Sequence, residues 1–246
     1  ALNAGSASGT LAEMETSLAI AAKHGLPVIE DAAQSIGAER RMDGQWRRAG
    51  ETGWAGTLSF FPSKNLGAWG DAGMILTQDD ALAERVRRMR LHGGSKQYFH
   101  DFVGTNSRLD TLQAAVLLAK LPFLAGWSAA RLEKAETYTA RFKGCGAVVA
   151  PVVDPSNRHI FHQYTIRAER RDELMAHLKA RGIGCAVYYP LPLHLQPCFA
   201  HLGYRPGSLP VPEAAMTQVV SLPVYPELTD DQLDAVMTAV TDFYGS

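Results

Sequence analysis

A single lysine in the run Thr57-Leu-Ser-Phe-Phe-Pro-Ser-Lys64-Asn-Leu-Gly-Ala-Trp-Gly-Asp71-Ala-Gly73 is the residue best placed to do covalent chemistry. It follows an apolar, aromatic stretch that reads as a buried strand, and glycines stand after it at 67, 70 and 73. Desolvation in such a pocket favours the neutral amine, and a neutral amine attacks carbonyl carbon. Lys64 therefore has the surroundings a Schiff-base lysine needs. The second constellation is Leu26-Pro-Val-Ile-Glu-Asp31-Ala-Ala-Gln34-Ser. Val28 and Ile29 read as a parallel strand, and the acidic pair marks its carboxyl end, where α/β folds build their sites. A carboxylate at Asp31 could hold a protonated pyridine nitrogen, and Gln34 offers an amide three residues on.

Other chemistries find less support. His159 and His162 are three apart on a predicted strand, so they would face opposite sides, and no third ligand lies at a useful spacing; no metal site is expected. There is no GxSxG elbow and no Walker loop, and the glycines after Lys64 do not fit the dinucleotide GxGxxG spacing. Tyr189 and His194 lie in a proline-stiffened segment that reads equally as a structural corner or a substrate contact. Arg108 could neutralise a diphosphate or a carboxylate, or form a structural ion pair.

Five segments occur in order: Ile29-Glu-Asp-Ala-Ala-Gln-Ser35, Ser59-Phe-Phe-Pro-Ser-Lys-Asn-Leu-Gly67, Asn106-Ser-Arg-Leu-Asp-Thr-Leu-Gln113, Tyr189-Pro-Leu-Pro-Leu-His-Leu-Gln196 and Ser221-Leu-Pro-Val-Tyr-Pro226. Together they resemble the pyridoxal phosphate (PLP)-dependent sugar aminotransferases of the DegT/StrS family, of the aspartate-aminotransferase fold type, from about Met14 onward. The resemblance implies that Lys64 carries PLP, that Asp31 pairs with the pyridine nitrogen and that Gln34 sits by the ring hydroxyl. It further implies phosphate contacts from Ser59 and, lent across a homodimer with a shared active site, from Asn106. Arg108, Tyr189 and His194 become substrate-binding candidates. The implied reaction moves an amino group from an amino acid (glutamate or glutamine) to a nucleotide-linked keto sugar, as in amino-sugar, polysaccharide or antibiotic biosynthesis. Relatives carry a long portion before the Asp31 strand that supplies further sheet strands, a ring-stacking aromatic residue and phosphate-binding amides. Since this chain starts shortly before that strand, a truncated, inactive remnant or a regulatory PLP-binding relative is the alternative. A sugar dehydratase of related scaffold is disfavoured, because those members replace the lysine with histidine.

Composition is that of an ordinary globular chain: 246 residues, formal net charge -1, apolar residues near the average. Nothing basic is dense enough for a nucleic-acid partner, since Arg85, Arg87, Arg88 and Arg90 would spread over a solvated helix face. No apolar stretch of membrane-spanning length and no signal peptide are read, and three cysteines without CxxC spacing suggest reduced thiols in a cytoplasmic protein.

The expected fold class is α/β: a truncated PLP-transferase large domain, with a mostly parallel sheet and helices, plus a smaller C-terminal α+β domain. Residues 1–9 read as a flexible tail, 10–122 as the partial large domain, 123–142 as a connecting helix and 143–246 as the small domain. Thr10 to Glu13 fits a capping box for a helix with Leu11, Met14, Leu18 and Ala22 on its apolar face. Strands are expected at 27–30, 58–61, 74–77, 147–149, 160–167 and 183–189. Helices are expected from Asp79 or Asp80 to Leu91, over 109–121, 123–142 and 172–180, and last after a Thr229–Gln232 cap.

Overall fold

The computed structural model describes residues 1–245. In chain order its elements are β1 (Leu2–Gly5), α1 (Met14–Lys23), β2 (Val28–Asp31), β3 (Glu39–Met42), β4 (Gln45–Arg48), β5 (Ala55–Ser59), β6 (Gly73–Leu76), α2 (Asp80–Met89), α3 (Thr111–Lys120), α4 (Leu124–Phe142), β7 (Val148–Val149), β8 (Asn157–Arg158), β9 (Tyr164–Ala168), α5 (Arg171–Ala180), α6 (Pro210–Gln218), β10 (Val219–Leu222) and α7 (Asp230–Tyr244). They divide into two compact units, one of Ala1–Ala129 with Asp154–His162 and one of Ala130–Val153 with the chain from Gln163.

The first unit is built on a sheet of order β1-β2-β5-β6, parallel except for the last pair. Val28 and Met14 pack with Ala4, Ala21 and Met42 under one part of it, and Phe60, Leu66, Ala68 and Leu117 form a separate cluster by the lysine loop. The mixed α/β class with a parallel-containing sheet is thus as the sequence implied. A small antiparallel sheet, β4-β3-β8, stands beside it. Its hairpin turns at Asp43 and Gly44, both with positive φ (49° and 78°), the geometry of a two-residue type I′ turn.

The second unit is α+β. Its antiparallel sheet β10-β9-β7 buries Tyr164, Ile166 and Val220 completely, together with Tyr138 and Leu174 from α4 and α5. Tyr138 keeps its hydroxyl satisfied in that core by donating to the Pro223 carbonyl at 2.9 Å. Thr229 and Gln232 form a complete capping box at the start of α7, as read from the sequence.

Several expectations are corrected. Residues 1–9 are not a tail: Leu2–Gly5 pairs in parallel register with β2, and Ser6 and Ala4 are buried. Small residues mimic linker composition, but here they form the edge strand beside β2. No box forms at Thr10–Glu13; Glu13 is the N-cap without a side-chain cap bond, and Ala21 rather than Ala22 is buried. The strand before Lys64 ends at Ser59, because Phe61 turns outward and its carbonyl accepts the Lys64 N–H at 2.9 Å. The strand expected from Ile160 starts at Tyr164, since Ile160 donates instead to the Gly9 carbonyl at 2.9 Å and Phe161 has φ 42°. Residues 183–189 form no strand; a lone antiparallel bridge joins Ala186 to Ser221. Finally, α3, a 3-10 turn at Leu121–Phe123 and α4 join into 32 residues of apolar helical chain. By length and composition alone Thr111–Phe142 could cross a membrane, which is weak evidence for a span.

Candidate active site at the ends of two adjacent strands

Asp31 ends β2 and Ser59 ends β5, its parallel neighbour, in a register that sets Asp31 opposite Thr57. The polar carboxyl ends of parallel strands are where the backbone stops pairing and side chains can converge on a ligand. Asp31 Oδ1 accepts the Ala33 N–H at 3.1 Å, which fixes the carboxylate. Among the described residues Oδ2 accepts no hydrogen bond. Gln34 is oriented by its Oε1, which accepts the Ser8 N–H at 2.8 Å, so its donor-bearing nitrogen is the other end of the amide. Ser59 Oγ accepts the Phe61 N–H at 3.3 Å and still carries its own hydroxyl proton to donate.

Lys64 stands half-buried on the turn after β5. Among the described residues its Nζ has neither a hydrogen-bond nor an ion-pair partner. Burial holds its pKa below the usual lysine range, while the Asp31 charge pulls in the opposite direction. Such an amine is the more readily uncharged and nucleophilic for lacking a partner.

The glycines after Lys64 serve close packing, none of them having positive φ. A Cβ at Gly67 would lie 2.3 Å from the Pro62 carbonyl oxygen. Helix α3 grips the same loop: Lys120 Nζ donates to the Gly67 carbonyl at 2.5 Å, and Gln113 Oε1 accepts the Trp69 N–H at 2.8 Å. Neither residue was singled out from the sequence. Gln113 lies within a motif that was quoted, but nothing local signals a contact 44 residues away.

The remaining candidates belong to other segments. Asn106 and Arg108 belong to the first unit and are exposed; Arg108 Nε donates to Asn106 Oδ1 at 3.0 Å. Among the described residues no hydrogen bond or ion pair joins either to Lys64 or Asp31. Arg108 helps to line an open hollow of about 930 Å³ with Leu91, His92, Lys96, Tyr98 and Phe102. Tyr189 and His194 belong to the second unit. Tyr189 is exposed, whereas the His194 side chain is only 7% exposed, with Nε2 at 2.9 Å from Glu213 Oε1. Glu213 also accepts the N–H groups of Gly207 and Leu209, so His194 is part of the network that starts α6.

The model of the DegT/DnrJ/EryC1/StrS aminotransferase family matches residues 5–241. This chain belongs to that family. A pleiotropic regulatory protein of Geobacillus stearothermophilus is 52% identical over 238 residues, covering 96% of this chain and 63% of that protein. A dTDP-3-amino-3,4,6-trideoxy-alpha-D-glucose transaminase of Streptomyces venezuelae is 42% identical over 235 residues, covering 96% of this chain and 61% of its own length. The crystal structure of S. venezuelae DesV, in complex with a ketimine intermediate, superposes with a TM-score of 0.94 at 41% identity, over 100% of this chain and 65% of that one. The chain therefore spans under two thirds of these relatives.

Proposed function

We propose that this chain carries the lysine-bearing part of a PLP-dependent sugar aminotransferase, which moves an amino group from an amino acid to a nucleotide-linked keto sugar. The observation that carries the reading is the unpartnered, half-buried Lys64 amine held near the Asp31 carboxylate. The donor set fits the cofactor: an amine for its aldehyde, a carboxylate oxygen without a protein donor for its ring nitrogen, and a hydroxyl with a proton to give at Ser59. When bound, PLP supplies an electron-withdrawing ring that stabilises negative charge at the α-carbon of an amino acid.

The protein's own groups do the rest. Asp31 would hold the ring nitrogen protonated. Gln34 would offer N–H donors to the ring hydroxyl, and Ser59 would donate to the phosphate. Lys64 Nζ would hold the cofactor aldehyde and, as an uncharged amine, would serve as the base and acid that moves the substrate's α-proton. Glutamate or glutamine is the donor in this reading. Arg108 would meet the nucleotide-sugar, and Asn106, exposed in this chain, would complete the site of a second copy.

Among relatives, the transaminase of S. venezuelae acts, by its name, on a dTDP-linked amino sugar. The regulatory name of the Geobacillus relative favours a second reading, a PLP-binding regulator without turnover. Product analysis decides between them. The full-length protein with PLP, glutamate and a dTDP- or UDP-linked keto sugar should yield the amino sugar by mass spectrometry, and Lys64→Ala should yield none. Cofactor binding without any amino-sugar product across such acceptors would favour the regulator. Asp31→Asn should retain PLP on Lys64 yet lose turnover by about two orders of magnitude or more, as expected when a group acting on developing charge is removed; full turnover in that variant would refute the role given to Asp31.

A further inference from the structure

Asn65, the residue after Lys64, is polar yet only 7% exposed. Its side chain spans to a segment nearly a hundred residues on: Nδ2 lies 3.4 Å from the Ile160 carbonyl, and Oδ1 lies 3.0 Å from His162 Nδ1. All of these residues lie in the first unit. A carbonyl oxygen only accepts, so the amide end facing Ile160 is the nitrogen, and Oδ1 is left to face the imidazole. An amide oxygen only accepts as well, so His162 must donate from Nδ1.

The partner segment is itself immobilised. Ile160 donates to the Gly9 carbonyl, and a Cβ at Gly9 would stand 2.6 Å from the backbone nitrogen of His162, with Gly9 at φ +106°. Side chain and backbone thus meet at a point fixed from both sides. Lys64, by contrast, has no bond through its own amine, so the aim of that amine depends on its backbone and its burial. On the upstream side the Lys64 N–H is held by the Phe61 carbonyl at 2.9 Å. On the downstream side the first side-chain anchor is Asn65.

We propose that the Asn65–His162 hydrogen bond is a positioning pair, which holds the backbone at Lys64 so that its amine stays in the half-buried place from which it meets a carbonyl. Neither residue touches the reacting atoms; both act through Lys64. The inference rests on reading Lys64 as the cofactor lysine, but the hydrogen bond can be judged apart from that reading.

Two measurements test it. In the unmodified protein, imidazole 15N spectra at pH 8 should show His162 with its proton on Nδ1; a proton on Nε2 alone overturns the pair. Next, full-length protein freed of cofactor is mixed with PLP, quenched with borohydride at successive times, and the modified Lys64 peptide is quantified. His162→Phe, which keeps the ring shape without a donor, should slow capture at Lys64 about tenfold or more, in line with the sensitivity of such reactions to small misplacements. His162→Gln restores a donor and should remain within about twofold of the unmodified rate by the same reasoning. Should the Phe variant not fold, Asn65→Ser removes the same bond from the other side and should slow capture likewise. A folded Phe or Ser variant with a lowered melting temperature and an unchanged capture rate would show a merely structural bond and overturn the proposal. If the unmodified protein is never labelled at Lys64, the cofactor reading fails instead, while the tautomer still judges the bond.

Discussion

Replacing Gly67 by alanine separates the stability of the lysine loop from its accuracy. The new Cβ would lie 2.3 Å from Pro62 O, 2.8 Å from Pro62 C and 3.0 Å from Phe61 O. Ordinary contact begins near 3.4 Å, so one side must retreat by about 1 Å. The flanking residues Leu66 and Ala68 are packed with Phe60 and Leu117, whereas Phe61 and Pro62 face solvent. The Pro62 side therefore yields. Overpacking of this kind costs about 1–3 kcal/mol, and the stiffer unfolded chain returns about 0.4–1 kcal/mol, so a net loss of about 1 kcal/mol is expected. Pro62 lies two residues before Lys64, and a displacement of about 1 Å in a reacting group can cost about 100-fold in rate. Urea denaturation should thus show a small change and, if the proposed function holds, turnover of the full-length protein a large one. Gly126→Ala is the control: nothing lies within 4 Å of its Cβ at the exposed start of α4, and it should gain about 0.5–1 kcal/mol with turnover intact. A folded Gly67→Ala protein with turnover close to that of the parent would refute the claim that this contact sets the place of the amine.

Other expectations concern the frame around the site. Thr229→Ala removes the capping box of α7 and should cost about 1 kcal/mol in urea denaturation; no loss would mean the cap is dispensable. Burial pushes His159 down from 6.5 to about 4, and its Nδ1 accepts the Phe161 N–H at 2.9 Å, which requires a neutral ring. The unfolded chain takes up that proton first, so stability should fall as pH drops from about 6.5 towards 4, by up to about 3 kcal/mol. His159→Leu should flatten that acid limb in denaturation curves; an unchanged limb would assign the loss to other groups.

Much of the first unit was legible because its signals are local. The apolar run before Glu30 and Asp31, the glycines after Lys64 and the cap at Asp79 each encode their own geometry within a few residues, as the Thr229 cap does in the second unit. Asp79 does cap α2, accepting the Leu82 N–H at 3.0 Å. The Asp43-Gly44 turn signal is also local, but its flanking strands are arginine-rich rather than apolar and so do not read as strands. Where the reading failed, distant partners decide. Leu2–Gly5 is a strand because β2 offers it a parallel edge, which composition does not report. Residues 183–189 carry strand-like residues, yet the only pairing is the single bridge to Ser221. In the candidate site, Lys64, Asp31, Gln34 and Ser59 are proposed from motif and strand ends. The grips of Lys120, Gln113 and His162 on the lysine loop could not be read that way, since each spans some 44 to 97 residues of chain.

The central claim is that one amine, Nζ of Lys64, is the point of covalent attachment. Full-length protein incubated with PLP and reduced with borohydride, then digested and mapped by mass spectrometry, tests it directly. The modified residue should be Lys64, at close to one group per chain, with Lys120 and the exposed lysines unmodified. A map placing the group on another lysine, with Lys64 bare, would contradict the account.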